Sequence, residues 1–267
     1  MKITIIGAGW LGLPLLTELV RAGHSVWGSS RSDERLAAIT EAGGRAFRVE
    51  LPDNFFGAVF RERELLILTL PPGGRKIGPA APQRYLERLA PLAPLVTGDD
   101  AAHVIYTSST GVYGAAAGAV SEQTAVAPAT HSARAVVAAE RWLSERTDRL
   151  TIVRLAGLVG GDRHPGNFFA GRDVPQADAP VNLVHRDDVI AAIRLLIERG
   201  LPAGTFNVCA AAHPAKGDFY AAAAAQLGKR TGNNLPGGAE GKVISSERLR
   251  ELGWRPQHDE LRKWSVS

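Results

Sequence analysis

Three glycines, Gly7, Gly9 and Gly12, follow directly on the apolar run Lys2-Ile3-Thr4-Ile5-Ile6. A buried strand, a G-x-G-x-x-G turn and a helix make an element that holds the pyrophosphate of a dinucleotide. The first glycine allows the tight turn, the second lets backbone approach the phosphates, and the third lets helix and strand pack closely. The helix N-terminus adds N–H donors and the positive end of a dipole. Trp10 and Leu11, inside the turn, complete the set expected near the pyrophosphate. An NAD-preferring site usually carries a carboxylate at the end of the second strand, roughly 20 residues past the glycines. Here that end reads Trp27-Gly28-Ser29-Ser30-Arg31-Ser32, with no carboxylate before Asp33. Ser29, Ser30 and Arg31 suit a 2′-phosphate, since arginine offers a charged fork and serines add donors. This favours NADP over NAD as the cofactor.

The elements that must position these residues alternate along the chain. Strands are predicted at residues 2–6, 25–28, 46–49, 65–70, 103–107, 150–154 and 205–208. Helices are predicted at 11–22, 32–42, 83–95, 132–145, 188–199 and 219–227, with a short basic helix ending at Gly253-Trp254. The continuous apolar run Leu65–Leu70 fits a parallel strand buried on both faces. Alternation at these lengths predicts βαβ units in a Rossmann-type doubly wound parallel sheet, class α/β. Regularity loosens after about residue 157, so the chain divides into a dinucleotide-binding domain over 1–157 and a small mixed α/β substrate portion over 158–267. Some segments of the latter are expected to return to the Rossmann core.

Composition excludes several classes. The 267 residues contain no run of about 18 apolar residues, so no membrane span is expected. The N-terminal strand lacks a basic flank and a small-residue cleavage site, which makes a cytoplasmic location the expectation. Cys209 is the single cysteine, which removes an internal disulfide and a cysteine metal cluster. No metal-ligand spacing occurs elsewhere, and no metal is expected. The net charge of +4 is spread along the chain rather than gathered in a stripe, so nucleic acid is not an expected partner.

Four stretches together resemble the extended short-chain dehydrogenase/reductase superfamily, in its NAD-dependent epimerase/dehydratase branch, over nearly the whole chain. They are Gly7–Gly12, Tyr106–Gly114 (Tyr-Thr-Ser-Ser-Thr-Gly-Val-Tyr-Gly), Val181–Asp188 (Val-Asn-Leu-Val-His-Arg-Asp-Asp) and Val243–Trp254. The second carries the family's S-S-x-x-V-Y-G signature and the third its N-x-x-H-x-x-D segment. The resemblance implies cofactor contacts from Pro71, Pro72, Gly73 and Ser108, and places Leu155, Ala156 and Gly157 near the nicotinamide. It also implies a substrate-orienting role for Ser109. The catalytic Tyr-x-x-x-Lys pair of the family is missing. With Glu140 aligned to the family glutamate, the tyrosine position holds Ser132 and the lysine position Val136, and residues 115–150 contain neither tyrosine nor lysine.

Candidate catalytic residues are therefore Ser109, Tyr113 and His131, histidine being a residue type that exchanges protons near neutral pH. Ser132 and Arg134 are further candidates. The loop Gly160–Asn167 is expected to face a substrate, and the short span from Gly161 to Val181 argues for a small polar substrate rather than a bulky sugar nucleotide. Asn182 and His185 read as architectural, and Asp187 and Asp188 as caps for the following helix. Family members often dimerise through two helices, here 83–95 and 132–145, so a homodimer is a permitted assembly. Two functions stay open: an NADP-dependent oxidoreductase or epimerase-like enzyme, and a catalytically impaired NAD(P)-binding sensor or regulatory protein.

Overall fold

The computed structural model describes residues 1–53, 63–98 and 100–261. Its elements in chain order are β1 (Lys2–Ile6), α1 (Gly12–Arg21), β2 (Ser25–Ser30), α2 (Asp33–Glu41), β3 (Arg45–Arg48), β4 (Leu65–Leu68), α3 (Gly74–Ile77), α4 (Ala81–Leu89) and α5 (Ala93–Val96). There follow β5 (His103–Ser109), β6 (Gly118–Val120), α6 (His131–Ser144), β7 (Leu150–Leu155), β8 (Gly157–Val159), β9 (Leu183–His185), α7 (Arg186–Glu198), β10 (Gly204–Val208), α8 (Lys216–Ala225), β11 (Lys242–Ile244) and α9 (Glu247–Glu251). Among the described residues no helix is long and apolar enough to cross a membrane.

Seven strands form one parallel sheet in the order β3-β2-β1-β4-β5-β7-β10. The order runs outward in opposite directions from the β1–β4 pair, where Ile5 lies opposite Ile67 and Ile6 opposite Leu68. That reversal is the topological switch point, and ligands of open α/β sheets bind beyond the strand ends there. Every residue of β4 and of β7 is buried, as strands covered by helices on both faces require. α1 buries Leu15, Leu16 and Leu19, the i, i+1, i+4 stripe its sequence predicts.

The sheet strands stand where the hydrophobic pattern puts them. Pro91 and Pro94 break the end of the predicted helix 83–95, as prolines there must, giving α4, a 3₁₀ turn over Ala90–Leu92 and then α5. Two small parallel pairs, β6–β11 and β8–β9, were not predicted. Strands of three residues are too short to show a period.

By packing, the chain forms two compact units. The first comprises Met1–Val112, Pro128–Arg154 and Leu196–Thr205 and holds the Gly7–Gly12 turn. The second comprises Tyr113–Ala127, Leu155–Leu195 and Phe206–Ser267, although residues 262–267 lie outside the described ones. Its core gathers Val159, Val174, Val181, Leu183, Phe219 and Tyr220. It also includes Tyr113–Ala127, which a single cut at residue 157 assigns to the first unit.

Candidate functional site

The glycine turn is held in one shape by four hydrogen bonds. Gly7 takes φ +105°, a conformation side chains rarely adopt. Its N–H donates to Ser29 Oγ (2.9 Å), and Ala8 N–H donates to the Ser29 carbonyl (2.8 Å). Gly9 N–H donates to the Gly7 carbonyl (2.7 Å), as does the Thr69 hydroxyl (2.7 Å). At Gly12 an added Cβ would stand 2.4 Å from the Gly7 oxygen, so only glycine lets α1 begin this close to β1. Gly9 is the opposite case. It is exposed, and the nearest atom to an added Cβ is 3.9 Å away. Nothing in the described structure requires a glycine there, whereas a pyrophosphate approaching the backbone does. No side chain caps α1. The turn therefore fits a dinucleotide. Trp10 is half-buried beside it, and Leu11 is buried, which leaves Leu11 only its backbone to offer.

At the end of β2 the expectation for Ser29 needs correction. Its side chain is buried and its oxygen accepts from Gly7, so it braces the turn rather than facing a 2′-phosphate. Ser30 Oγ accepts from Ser32 N–H (3.2 Å), and Ser32 caps α2 by accepting from Arg35 N–H (3.4 Å). Arg31 is exposed. Its carbonyl accepts from Arg48, whose guanidinium also pairs with Asp33. Asp33, the first carboxylate after β2, is thus occupied by a cation. The parallel register that sets Ser30 opposite Arg48 is what brings Arg48 here, and no local motif announces it.

At the ends of β4 and β5, Pro71 is exposed and Pro72 and Gly73 are half-buried. α4 secures this loop: Tyr85 O–H donates to the Leu70 carbonyl (2.7 Å) and Arg88 Nη1 to that of Pro71 (3.0 Å). Burial pushes the Tyr85 phenol up to about 12, so it stays a donor. Gly74 lies against α6, where an added Cβ would stand 2.4 Å from the Ser132 nitrogen. Ser108 does not face a ligand. It is buried and donates to Glu140 Oε1 (2.5 Å), a carboxylate that also accepts from Arg154 Nε (3.0 Å) and Nη2 (2.7 Å). Sequence reasoning matched Glu140 to a family position but missed this triad, because Arg154 comes from a different strand.

Of the catalytic candidates, Ser109 is half-buried, and its oxygen accepts from Gly111 N–H (3.0 Å). Its own proton stays available to donate. His131 opens α6, half-buried, just after Thr130, whose hydroxyl caps the helix by accepting from Ala133 N–H (3.1 Å). Val136 is buried on the inner face of α6. Tyr113 must be withdrawn as a catalytic candidate. It is fully buried, and its O–H donates to Asn207 Oδ1 (2.8 Å) inside the second unit.

In the second unit Leu155 and Ala156 are buried, and Gly157 is exposed with its N–H on the Asn182 carbonyl (3.0 Å). In the Gly160–Asn167 loop Arg163 and Asn167 are exposed, but His164 turns inward, its Nδ1 accepting from Gly166 N–H (3.1 Å). Asn182 is architectural: its amide donates to the Lys242 carbonyl (2.8 Å) and accepts from Ile244 N–H (2.8 Å). Asp188 stands in the first turn of α7, as expected, with a further role. Its buried carboxylate accepts from the N–H groups of Gln257 (2.7 Å) and His258 (3.0 Å), fastening the chain end beyond α9. His185 stacks on His258, ring centroids 3.7 Å apart, and burial, then the His258 charge, lowers its pKa. Among the described residues no group of three metal-ligating side chains occurs.

Comparison with known proteins agrees with this geometry. Residues 2–74, the turn and its neighbouring strands, match the family described as NADP oxidoreductase, coenzyme F420-dependent. A Methylobacillus flagellatus protein described as an NAD-dependent epimerase/dehydratase is 26% identical and superposes with a TM-score of 0.76, covering 97% of this chain and 93% of its own. UDP-glucuronic acid 4-epimerase of Bacillus cereus, solved with NAD, is 15% identical with a TM-score of 0.79, covering 99% and 97%. The fold is thus that of NAD(P)-binding oxidoreductases and epimerases. Protein YeeZ of Escherichia coli K12 is 37% identical over 267 residues, 96% of each chain. At that identity and coverage, the chain belongs to the YeeZ family.

Proposed function

We propose that the protein is an NADP-dependent oxidoreductase or epimerase-like enzyme of the extended short-chain dehydrogenase/reductase type, acting on a small polar substrate. The observation that carries the reading is the contrast between Gly12, which packing requires, and Gly9, which only a ligand requires. Gly7, Gly9, Gly12 and the backbone of Trp10 and Leu11 hold the pyrophosphate, and Pro71, Pro72 and Gly73 border the adenosine half. Arg31, exposed at the end of β2 and in no ion pair among the described residues, selects NADP over NAD. When bound, the nicotinamide supplies hydride exchange at its C4.

Ser109 orients the substrate by donating the proton its contact with Gly111 leaves available. His131 and Ser132, at the start of α6, are the groups placed to exchange a proton in place of the family tyrosine. Between α4 and α6 the half-buried Pro82, Leu86, Val137, Ala138 and Trp142 line a groove of about 440 Å³, which supports a homodimer through those helices. A second reading, a catalytically impaired NADP-binding sensor, draws on the buried Val136 and on Gly74 packed against Ser132 at the two catalytic positions.

Nicotinamide fluorescence titration with NADPH and NADH, repeated on Arg31→Ala, tests the cofactor. Removing a charged contact to phosphate should weaken NADPH about tenfold or more and spare NADH. Absence of binding by either cofactor sinks both readings. Binding without hydride transfer across a panel of small aldehydes, ketones and alcohols selects the sensor.

A further inference from the structure

Arg88, which no motif singles out, stands at the same edge as Arg31. In the sheet order β2 and β4 flank β1 on its two sides, so the ends of β2 and β4 border one gap beyond the Gly7 turn. Arg31 leaves the end of β2. Arg88 arrives from α4 over the end of β4, one guanidinium N–H on the Pro71 carbonyl (3.0 Å) and the others still to be satisfied. Burial is the main cause that lowers the Arg88 pKa, the neighbouring Tyr85 opposes it, and the charge of Arg31 lowers it further. Neither arginine joins an ion pair among the described residues; Asp33 pairs with Arg48 and Glu87 with Arg84 instead. Two guanidinium groups borne on the two sides of one gap repel, and an anion between them relieves the repulsion.

We propose that Arg88 is a specificity-determining residue that holds the 2′-phosphate of NADP together with Arg31, an inference that rests on the proposed cofactor preference. A phosphate monoester carries close to two negative charges and three acceptor oxygens, which one arginine cannot satisfy and two can. The adenine ring and the 5′-phosphates are common to NAD and NADP. A residue that served them, or that only supported the Pro71 loop, has no means of telling the two apart.

The test is calorimetric titration of wild type, Arg88→Ala, Arg88→Lys and Arg31→Ala with 2′,5′-ADP and with 5′-AMP, which differ by the 2′-phosphate alone. NADPH and NADH titrations run in parallel, and thermal unfolding of each variant checks the fold. The expected result is a loss of about tenfold or more for 2′,5′-ADP and NADPH in Arg88→Ala, with 5′-AMP and NADH changed less than about twofold. Arg88→Lys should recover part of the loss, because the charge remains and the fork does not. Equal weakening of both members of each pair assigns Arg88 to loop support and overturns the proposal, as does no change at all. A response to Arg31→Ala with Arg88→Ala silent overturns this inference alone. A wild-type protein that does not distinguish 2′,5′-ADP from 5′-AMP overturns the cofactor preference and this inference with it.

Discussion

Replacing Glu140 with alanine should be among the most damaging single changes in the first unit. Both partners of the Glu140–Arg154 pair have side chains 8% exposed, and the carboxylate takes three hydrogen bonds, two from Arg154 and one from Ser108. Truncation leaves a buried guanidinium without its counter-ion and the Ser108 hydroxyl without its acceptor. Stranding one member of a buried pair costs about 3–5 kcal/mol, much of a typical total of about 5–15. At about 2–4 °C per kcal/mol for a chain of roughly this size, the melting temperature should fall by about 6–20 °C. Urea unfolding followed by circular dichroism measures the loss as a shift in midpoint at unchanged slope. Replacing both charges with apolar residues (Glu140→Leu with Arg154→Met) should restore most of it, because the cost lies in the orphaned charge rather than in the absent pair. A Glu140→Ala loss below about 1 kcal/mol, in the range of an exposed pair, would refute the assignment of this triad as a buried, fully engaged network.

Three further outcomes are expected. Gly12→Ala should destabilise the protein by about 1–3 kcal/mol through overpacking against the Gly7 oxygen, whereas Gly9→Ala should leave stability within about 1 kcal/mol yet abolish NADPH binding; melting curves and fluorescence titration of the two variants separate the effects, and unimpaired binding by Gly9→Ala would remove the pyrophosphate from this turn. Asp188→Ala should cost about 2–3 kcal/mol and raise hydrogen exchange at Gln257 and His258, the two amides its carboxylate accepts, while leaving exchange in β1 and β4 unchanged. Burial, followed by the charge of Arg149, lowers the His103 pKa from 6.5 to about 4 in the folded state. Above 6.5 the residue is neutral folded and unfolded and makes no difference; as pH falls from 6.5 towards 4 the unfolded chain takes up the proton first, so stability drops through that window. His103→Gln, which keeps a partner for the Thr151 hydroxyl, should flatten the drop in pH-dependent urea midpoints, and an unaltered profile would clear His103 of the effect.

The parallel sheet, its strand positions and the glycine turn after β1 were legible in the sequence because each rests on local information. The isoleucines of Lys2–Ile6 before a glycine turn, the run Leu65–Leu70 and the helical stripe of α1 have patterns that a few consecutive residues display. The resemblance added only expectations, for Ser109 and for Ser132 and Val136 at the family's tyrosine and lysine positions. What tertiary structure decided was direction and company. Ser29 and Ser108 stand at strand ends where a ligand is expected, yet alternation along a strand turns one to Gly7 and the other to Glu140. Tyr113 looked like a source of acid-base chemistry until Asn207, far along the chain, was found to hold its hydroxyl. Asp188 stands in the first turn of α7 as expected, but its hold on the chain end beyond α9 is set by packing. Arg48 and Arg88 reach the Arg31 edge only through strand register and the path of α4. Residue type and spacing state what a side chain is able to do; which partner it meets, and whether water or ligand reaches it, depends on contacts between residues distant in sequence, and those exist only once the chain has packed.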